Sequence, residues 1–240
     1  MTAPAQPVEA ARTWERRAVF CGIPFVLLFA VGLVLGAAGS VDLDGTAAEV
    51  AARYDENQTM LFASERILVL AGFFLFAFSA GLGGALRRVD GPGEWLPGVA
   101  VAAGAASAVL LLIAAGFGGI EVHEGVCAHD PSAPDCSGAE GLLDPGAFSL
   151  LVSLNFEFLV LAAIPFGILL AATAIVVRST QSLPRWLGTS AAVLAVLFPI
   201  ATIVKFAALV LYVPFFAWIV VATIVLARPV HLGTNLPARS

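Results

Sequence analysis

Charged side chains are scarce in this sequence: they make up 12% of its 240 residues, whereas apolar residues make up 60%. A water-soluble domain of this length cannot bury so much apolar surface, and disordered chains have low hydrophobicity, so both classes are excluded. The chain has a net charge of −5 and a single lysine, Lys205. It therefore lacks the basic surface that nucleic acids require, and we expect no nucleic-acid partner.

Histidine is also rare, and its positions exclude one group of cofactors. His123, His129 and His231 all lie outside the long apolar runs, so no imidazole pair is available to ligate a haem between helices. The sequence also lacks a phosphate-binding loop, a Gly-x-Ser-x-Gly motif and the paired intramembrane aspartates of an aspartyl protease. We therefore predict no cofactor and favour a non-enzymatic protein, with a membrane-embedded enzyme as the alternative.

The abundant apolar residues fall into six runs that are long enough to cross the roughly 30 Å hydrocarbon core of a bilayer. These runs cover residues 18–38, 60–86, 96–119, 148–177, 187–204 and 206–227. Only Lys205 separates the last two runs, which predicts a tight turn there. The sequence thus predicts an all-α, polytopic transmembrane bundle at residues 18–228, with tails at 1–17 and 229–240 and outer segments at 41–59 and 120–147.

The basic residues predict the orientation of the bundle, because Lys and Arg near span ends favour the cytoplasmic side. Nine of the twelve basic residues fall on one side of the predicted topology: Arg12, Arg16, Arg17, Arg87, Arg88, Arg178, Arg185, Arg228 and Arg239. The opposite side is acidic. We therefore expect a multi-pass protein of a bacterial plasma membrane with both termini in the cytoplasm and membrane lipids as its immediate partners.

A spacing of 91 residues relates two parts of the chain. It separates Arg87 from Arg178, and Trp95 from Trp186, and each pair flanks a short turn between two spans. The match indicates that spans two and three are repeated as spans four and five in the same orientation, which makes a parallel repeat. The general preference of Arg and Trp for membrane interfaces is the alternative explanation.

Polar side chains inside the apolar runs are the first candidates for function, because they are costly to bury in lipid. Five such residues are present: Glu65, Arg66, Asn155, Glu157 and Lys205. Arg66 and Glu157 each lie 21 residues before an inner arginine, which is about 31 Å along a helix. All the charges therefore lie near the outer boundary. They either anchor the helices there or line a polar pocket in which Arg66 and Glu157 pair with Glu65 and Lys205.

The two outer segments carry the remaining motifs. Thr46 and Glu49 form a capping box, and Val50 and Tyr54 give one apolar edge to a short helix that we expect to lie on the outer surface and to lead into the second span. In the second segment Cys127 and Cys136 enclose eight residues, which predicts a disulfide in an oxidising compartment. A metal site at His123, Glu124 and His129 is a weaker hypothesis, because a solvated acidic loop explains the same residues.

Three short motifs carry a resemblance to a known group of proteins. They are TAAEVAARY at 46–54, LRRV at 86–89 and LPRWLG at 183–188. In these motifs the chain resembles the uncharacterised six-helix membrane proteins of actinobacteria that carry domain-of-unknown-function labels. The resemblance covers most of the chain and implies the six-span architecture without any catalytic residue. Two functions remain open: an accessory, small-molecule-binding or lipid-binding protein, with a small-molecule or protein partner, and a transporter or enzyme that uses the same charges.

Overall fold

In the computed structural model, the chain forms a bundle of α-helices. The structure describes residues 14, 17–40, 47–90, 95–129, 136, 145–180, 183–203 and 205–227, and these residues contain no strand. The helices are α1 (Gly22–Ala38), α2 (Ala47–Asp90), α3 (Leu96–His129), α4 (Pro145–Leu161), α5 (Ala163–Thr180), α6 (Arg185–Ala201) and α7 (Lys205–Ala227). Apolar helices are the expected outcome, because a backbone in lipid must satisfy its hydrogen bonds within one segment or a closed barrel.

Five of the apolar helical segments are long enough to cross a membrane: Arg17–Ala38, Ala52–Asp90, Leu96–Ala128, Leu150–Thr180 and Val210–Ala227. The sixth, Arg185–Ala201, is apolar but shorter. Helix α6 ends at Ala201, residues 202–203 form a turn and α7 begins at Lys205, which confirms the turn predicted beside Lys205. The protein is thus an integral membrane protein by the length and composition of its helices, as the sequence predicts.

Neighbouring helices pack with alternating direction. The buried Thr223 hydroxyl near the end of α7 donates a hydrogen bond to the Val19 carbonyl just before α1, at 3.3 Å. Ser64 of α2 donates to the Gly32 carbonyl of α1 at 2.8 Å. Five residues earlier on α7, the Trp218 indole donates to the Leu187 carbonyl near the start of α6, at 3.3 Å, so the start of α6 lies at this same end. These contacts place the beginning of α1 and the end of α7 at the same end of the bundle.

Helices α2 and α3 form a long antiparallel hairpin. With 44 and 34 residues they measure about 66 and 51 Å, so both exceed the roughly 30 Å hydrocarbon core. Here the structure differs from the sequence-based expectation. Residues 47–54 do not form a separate helix along the membrane surface but are the first turns of α2, because Tyr54 packs against Gly125 of α3. Helix α3 likewise continues ten residues beyond Gly119, to His129.

Proline interrupts the helical segment 145–180. Pro165 has no N–H to donate to the Leu161 carbonyl, and the helix is broken at Ala162, between α4 and α5. Two hydroxyls from other helices bind carbonyls at this break. Ser107 of α3 donates to the Ala162 carbonyl at 3.2 Å, and Tyr212 of α7 donates to the Leu159 carbonyl at 3.0 Å. Both donors are buried.

Aromatic side chains fill the centre of the bundle. Phe166 of α5 is a hub: its ring centroid lies 4.5 Å from that of Phe215, 6.0 Å from that of Tyr212 and 6.1 Å from that of Phe198. Tyr212 also lies 5.1 Å from Phe29 of α1, again between ring centroids. All five rings are fully buried, so this part of the core is apolar and closely packed.

Candidate functional site

Two of the side chains predicted from the sequence meet where α2, α3 and α4 come together. The Asn155 amide of α4 donates a hydrogen bond to the Glu65 carboxylate of α2. Both groups lie directly against Gly118 of α3, where an added Cβ would be well inside the 3.0 Å that real Cβ atoms keep. A larger residue at this point of α3 would therefore have to displace the ends of the Glu65 and Asn155 side chains.

Glu121 and Tyr54 extend the same site along α3 and α2. Glu121 lies one helical turn beyond Gly118, and its carboxylate interacts electrostatically with that of Glu65. The Tyr54 hydroxyl donates a hydrogen bond to Glu121 Oε1. Tyr54 and Glu65 are eleven residues, or about three turns, apart, so both face α3. We call Tyr54, Glu65, Gly118, Glu121 and Asn155 the three-helix site.

One oxygen of the three-helix site is unsatisfied. Glu65 Oε2 is buried and has no hydrogen-bond partner within the described part of the chain. An acceptor in this state costs about 1 to 3 kcal/mol relative to a satisfied one. The groups that Glu65 contacts among the described residues are an amide, a second carboxylate and a glycine. The site therefore offers more hydrogen-bond acceptors than donors and attracts positive charge.

The depth of this site agrees with the position expected from the sequence. Because α2 runs unbroken from Ala47 to Asp90, Glu65 lies 22 residues, or about 33 Å, from Arg87. If Arg87 marks one face of the roughly 30 Å hydrocarbon core, Glu65 lies at the opposite face. Glu121 and Tyr54 lie further out along the hairpin, so the site extends from the membrane boundary towards water.

The remaining predicted residues are placed differently. The Arg66 side chain is exposed, with its guanidinium 5.9 Å from the centroid of the Phe62 ring, and it does not face Asn155. Glu157 is half-buried on α4, two residues beyond Asn155 and thus on another side of that helix. Lys205 begins α7, but its side chain lies outside the described residues. Because the Lys205 side chain is not described, the expected pairing of Arg66 and Glu157 with Glu65 and Lys205 stays a prediction.

The outer cysteines are placed as predicted. Cys127 and Cys136 lie at disulfide distance, with their Cα atoms 5.5 Å apart, and both are buried. The His123 ring packs against Cys127, with its Nε2 atom 3.8 Å from Sγ. Within the described ranges, no three His, Cys, Asp or Glu side chains are grouped so as to hold a metal ion. The His129 side chain lies outside those ranges, so the metal site at His123, Glu124 and His129 stays a prediction.

Sequence reasoning missed the roles of Tyr54, Gly118 and Glu121 in this site. The sequence patterns place Tyr54 on the apolar edge of a surface helix and Glu121 in the second outer segment. A signal was present, because Tyr54 and Glu65 are spaced to face one direction and Gly118 and Gly125 recur at two turns on the next helix. Each glycine receives one of the two large side chains of α2.

The arrangement combines two carboxylates, one amide and one phenol at the membrane boundary. It is suited to binding a donor-rich or positively charged group. Comparisons with protein-family models, with curated proteins and with solved structures found no match to this chain.

Proposed function

We propose that this integral membrane protein is a non-enzymatic binding protein whose three-helix site holds an amine-bearing ligand at the outer membrane boundary. The observation that carries this proposal is the buried, unpartnered Glu65 Oε2 atom beside the Asn155 amide. An ammonium group supplies both the positive charge and the N–H donors that the site lacks. Charge-assisted hydrogen bonds of this kind are the strong ones in proteins.

Two sources of such an amine are available at this depth. One is a lipid headgroup, because the site lies where headgroups and acyl chains meet. The other is a free small amine that enters from the water beyond the helical hairpin. The two sources share one recognition chemistry, since each places N–H donors against the Glu65 and Glu121 carboxylates.

The packed aromatic core favours binding over transport. Transport sites usually lie near the midplane, between broken helices. Here the fully buried Phe29, Phe166, Tyr212 and Phe215 rings fill the bundle centre. The break at Ala162 is the one observation that favours the transporter alternative, and the same charges would then bind the cargo. We nevertheless infer binding, because backbone hydrogen bonds continue on both sides of that break and two buried hydroxyls bind carbonyls beside it.

We also propose the cellular setting from sequence alone. The arginine distribution supports a bacterial plasma membrane with both termini in the cytoplasm. The motifs at 46–54 and 183–188 support membership of the six-helix actinobacterial group described above. Both assignments depend on sequence patterns, and measuring the accessibility of tags at each terminus tests the orientation.

The binding proposal is tested on the full-length protein in nanodiscs. Native mass spectrometry of protein in phosphatidylethanolamine discs, compared with phosphatidylcholine discs, measures retention of a primary-amine lipid. Calorimetric titration with ethylamine or spermidine in phosphatidylcholine discs measures binding of a free amine. Whichever amine binds the wild type, the Glu65→Gln variant should bind it on the order of 10- to 100-fold more weakly, because a charge-assisted hydrogen bond is lost.

Glu56→Gln is the matched control, because Glu56 is an exposed carboxylate on the same helix. This variant should bind the amine as the wild type does. The proposal is wrong if neither amine source binds the wild type, or if Glu56→Gln and Glu65→Gln weaken binding equally. Equal weakening would indicate a general charge effect and no defined site.

A further inference from the structure

The two halves of the segment 145–180 are anchored very differently in the bundle. Ten of the 18 residues of α5 are buried, including Phe166 and Leu170. Among the α4 side chains that the structure describes, residues 150–161, Val160 is the only buried one. Helix α5 is therefore part of the core, whereas α4 lies at the edge of the bundle. Low burial of this kind marks the elements that open at low free-energy cost.

The join between the two halves has the features of a hinge. Pro165 removes the hydrogen bond to the Leu161 carbonyl, and Ala162 adopts a turn. Backbone continuity depends on the bonds from Ala162 N to the Phe158 carbonyl, at 3.1 Å, and from Phe166 N to the Ala162 carbonyl, at 3.3 Å. A helix with a missing bond at one point bends there more easily than elsewhere.

Helix α4 packs on α3, and several of its contacts involve the three-helix site or the hinge. The Asn155 amide of α4 donates to Glu65. Phe158 of α4 stacks on Phe117 of α3 with ring centroids 5.5 Å apart and an interplanar angle of 13°. At the hinge itself, Tyr212 donates to the Leu159 carbonyl. Rotation of α4 away from α3 would separate Asn155 from Glu65 and open a path from the lipid to the Glu65 carboxylate.

We propose that α4 is a movable arm that turns about Ala162 and opens or closes the Glu65 end of the three-helix site towards the lipid. This inference rests on the proposed function, because it describes how a ligand reaches that site. Asn155 then has two roles, as a ligand contact and as the latch that holds the closed arm. The Ser107 and Tyr212 hydroxyls set the balance between the two positions by stabilising the closed hinge.

The test measures how fast a membrane-soluble carbodiimide modifies Glu65, read as the N-acylurea adduct on the peptide containing Glu65 by mass spectrometry. Phe117→Cys and Phe158→Cys together allow a short bifunctional thiol reagent to fix α4 against α3. All cysteine variants carry Cys21→Ser, which removes the free cysteine. The two single-cysteine variants, treated with the same reagent, are the controls.

We expect modification of Glu65 in the bridged protein to be at least about ten-fold slower than in either single-cysteine control, because access scales with the open fraction. Hinge variants should act in the opposite direction. Ser107→Ala should accelerate modification about five-fold, since it removes one hydrogen bond that stabilises the closed arm. Ser79→Ala is its matched control, because Ser79 is also buried but donates to Leu75 of its own helix, at 2.8 Å.

Equal modification rates in the bridged and single-cysteine proteins would overturn the movable arm, and so would a Glu65 that is never modified in the wild type. Equal modification rates in Ser107→Ala and Ser79→Ala would show that the Ser107 hydroxyl does not stabilise the closed arm. Failure of the binding proposal has a different result. In that case no amine binds the wild type, while modification of Glu65 still depends on the bridge.

Discussion

Gly118 provides the sharpest perturbation of the three-helix site. In Gly118→Ala the new methyl group would overlap the present positions of the Glu65 Oε1 and Asn155 Nδ2 atoms. Both are the ends of flexible side chains, so they can move aside without displacing any backbone. The substitution therefore separates the two groups while the helix packing around them is retained.

In Gly118→Ala, a lost hydrogen bond and a gain in helix propensity partly cancel in the free energy of unfolding, but no such gain offsets the loss of ligand binding. Loss of the Asn155 to Glu65 hydrogen bond costs about 1 to 3 kcal/mol. Replacing a helical glycine by alanine returns up to about 1 kcal/mol. The net free energy of unfolding should thus fall by at most about 3 kcal/mol. Binding of the amine should weaken on the order of ten-fold or more, because the acceptors no longer converge.

Gly116→Ala is the matched control, because it lies on the same helix and an added Cβ would meet nothing within 4 Å. It should bind the amine normally and unfold at a free energy equal to or above that of the wild type. Stability is measured by circular dichroism during titration of mixed micelles with dodecyl sulfate, and binding by the nanodisc assay. If Gly118→Ala matches Gly116→Ala in both measurements, the geometry that we assign to the three-helix site is wrong.

Four further substitutions test other parts of the structure. Tyr54→Phe should lower stability by about 1 kcal/mol and speed amide exchange in the outer turns of α2 and α3, because Glu121 loses its donor; unchanged exchange would refute that role. Cys136→Ser should speed exchange near residue 127 but leave the circular dichroism of the spans intact, since the bridge closes only the outer loop. Trp218→Phe should cost about 1 kcal/mol in the dodecyl sulfate titration, because the buried bond to Leu187 is lost. Arg66→Ala should change stability by less than about 0.5 kcal/mol and leave amine binding unchanged, because its side chain is exposed.

The helical architecture could be predicted from the sequence, because the length of an apolar run determines whether it can cross a bilayer as a helix. The residues at which α2 begins and α3 ends were harder to predict. Polar residues after Gly119 indicate departure from the hydrocarbon, but they do not end a helix that continues to pack on a partner. The sequence around Tyr54 and Gly125 encodes that packing, yet only the register of α2 against α3 shows that the two residues meet.

The depth of a side chain in the membrane can be predicted from the sequence, whereas the direction in which the side chain points cannot. Counting residues from an inner arginine gives the height of a side chain along its helix, and the structure brings Glu65 and Asn155 together at one level. It says nothing about which way a side chain points. Glu65 and Arg66 have almost the same height but differ by about 100° around the helix, so one faces Gly118 and the other faces outward.

The three-helix site differs from the other polar contacts between helices in its balance of satisfied and unsatisfied groups. Buried hydroxyls elsewhere in the bundle have acceptors, as Ser64 and Ser107 have on neighbouring helices. At Glu65 the surrounding helices supply one amide and a second carboxylate, and one oxygen is left without a donor. A leucine at this position would remove that cost and suit the lipid boundary. Because functional sites are where proteins depart from such local rules, the donor that Glu65 lacks is best supplied by a ligand.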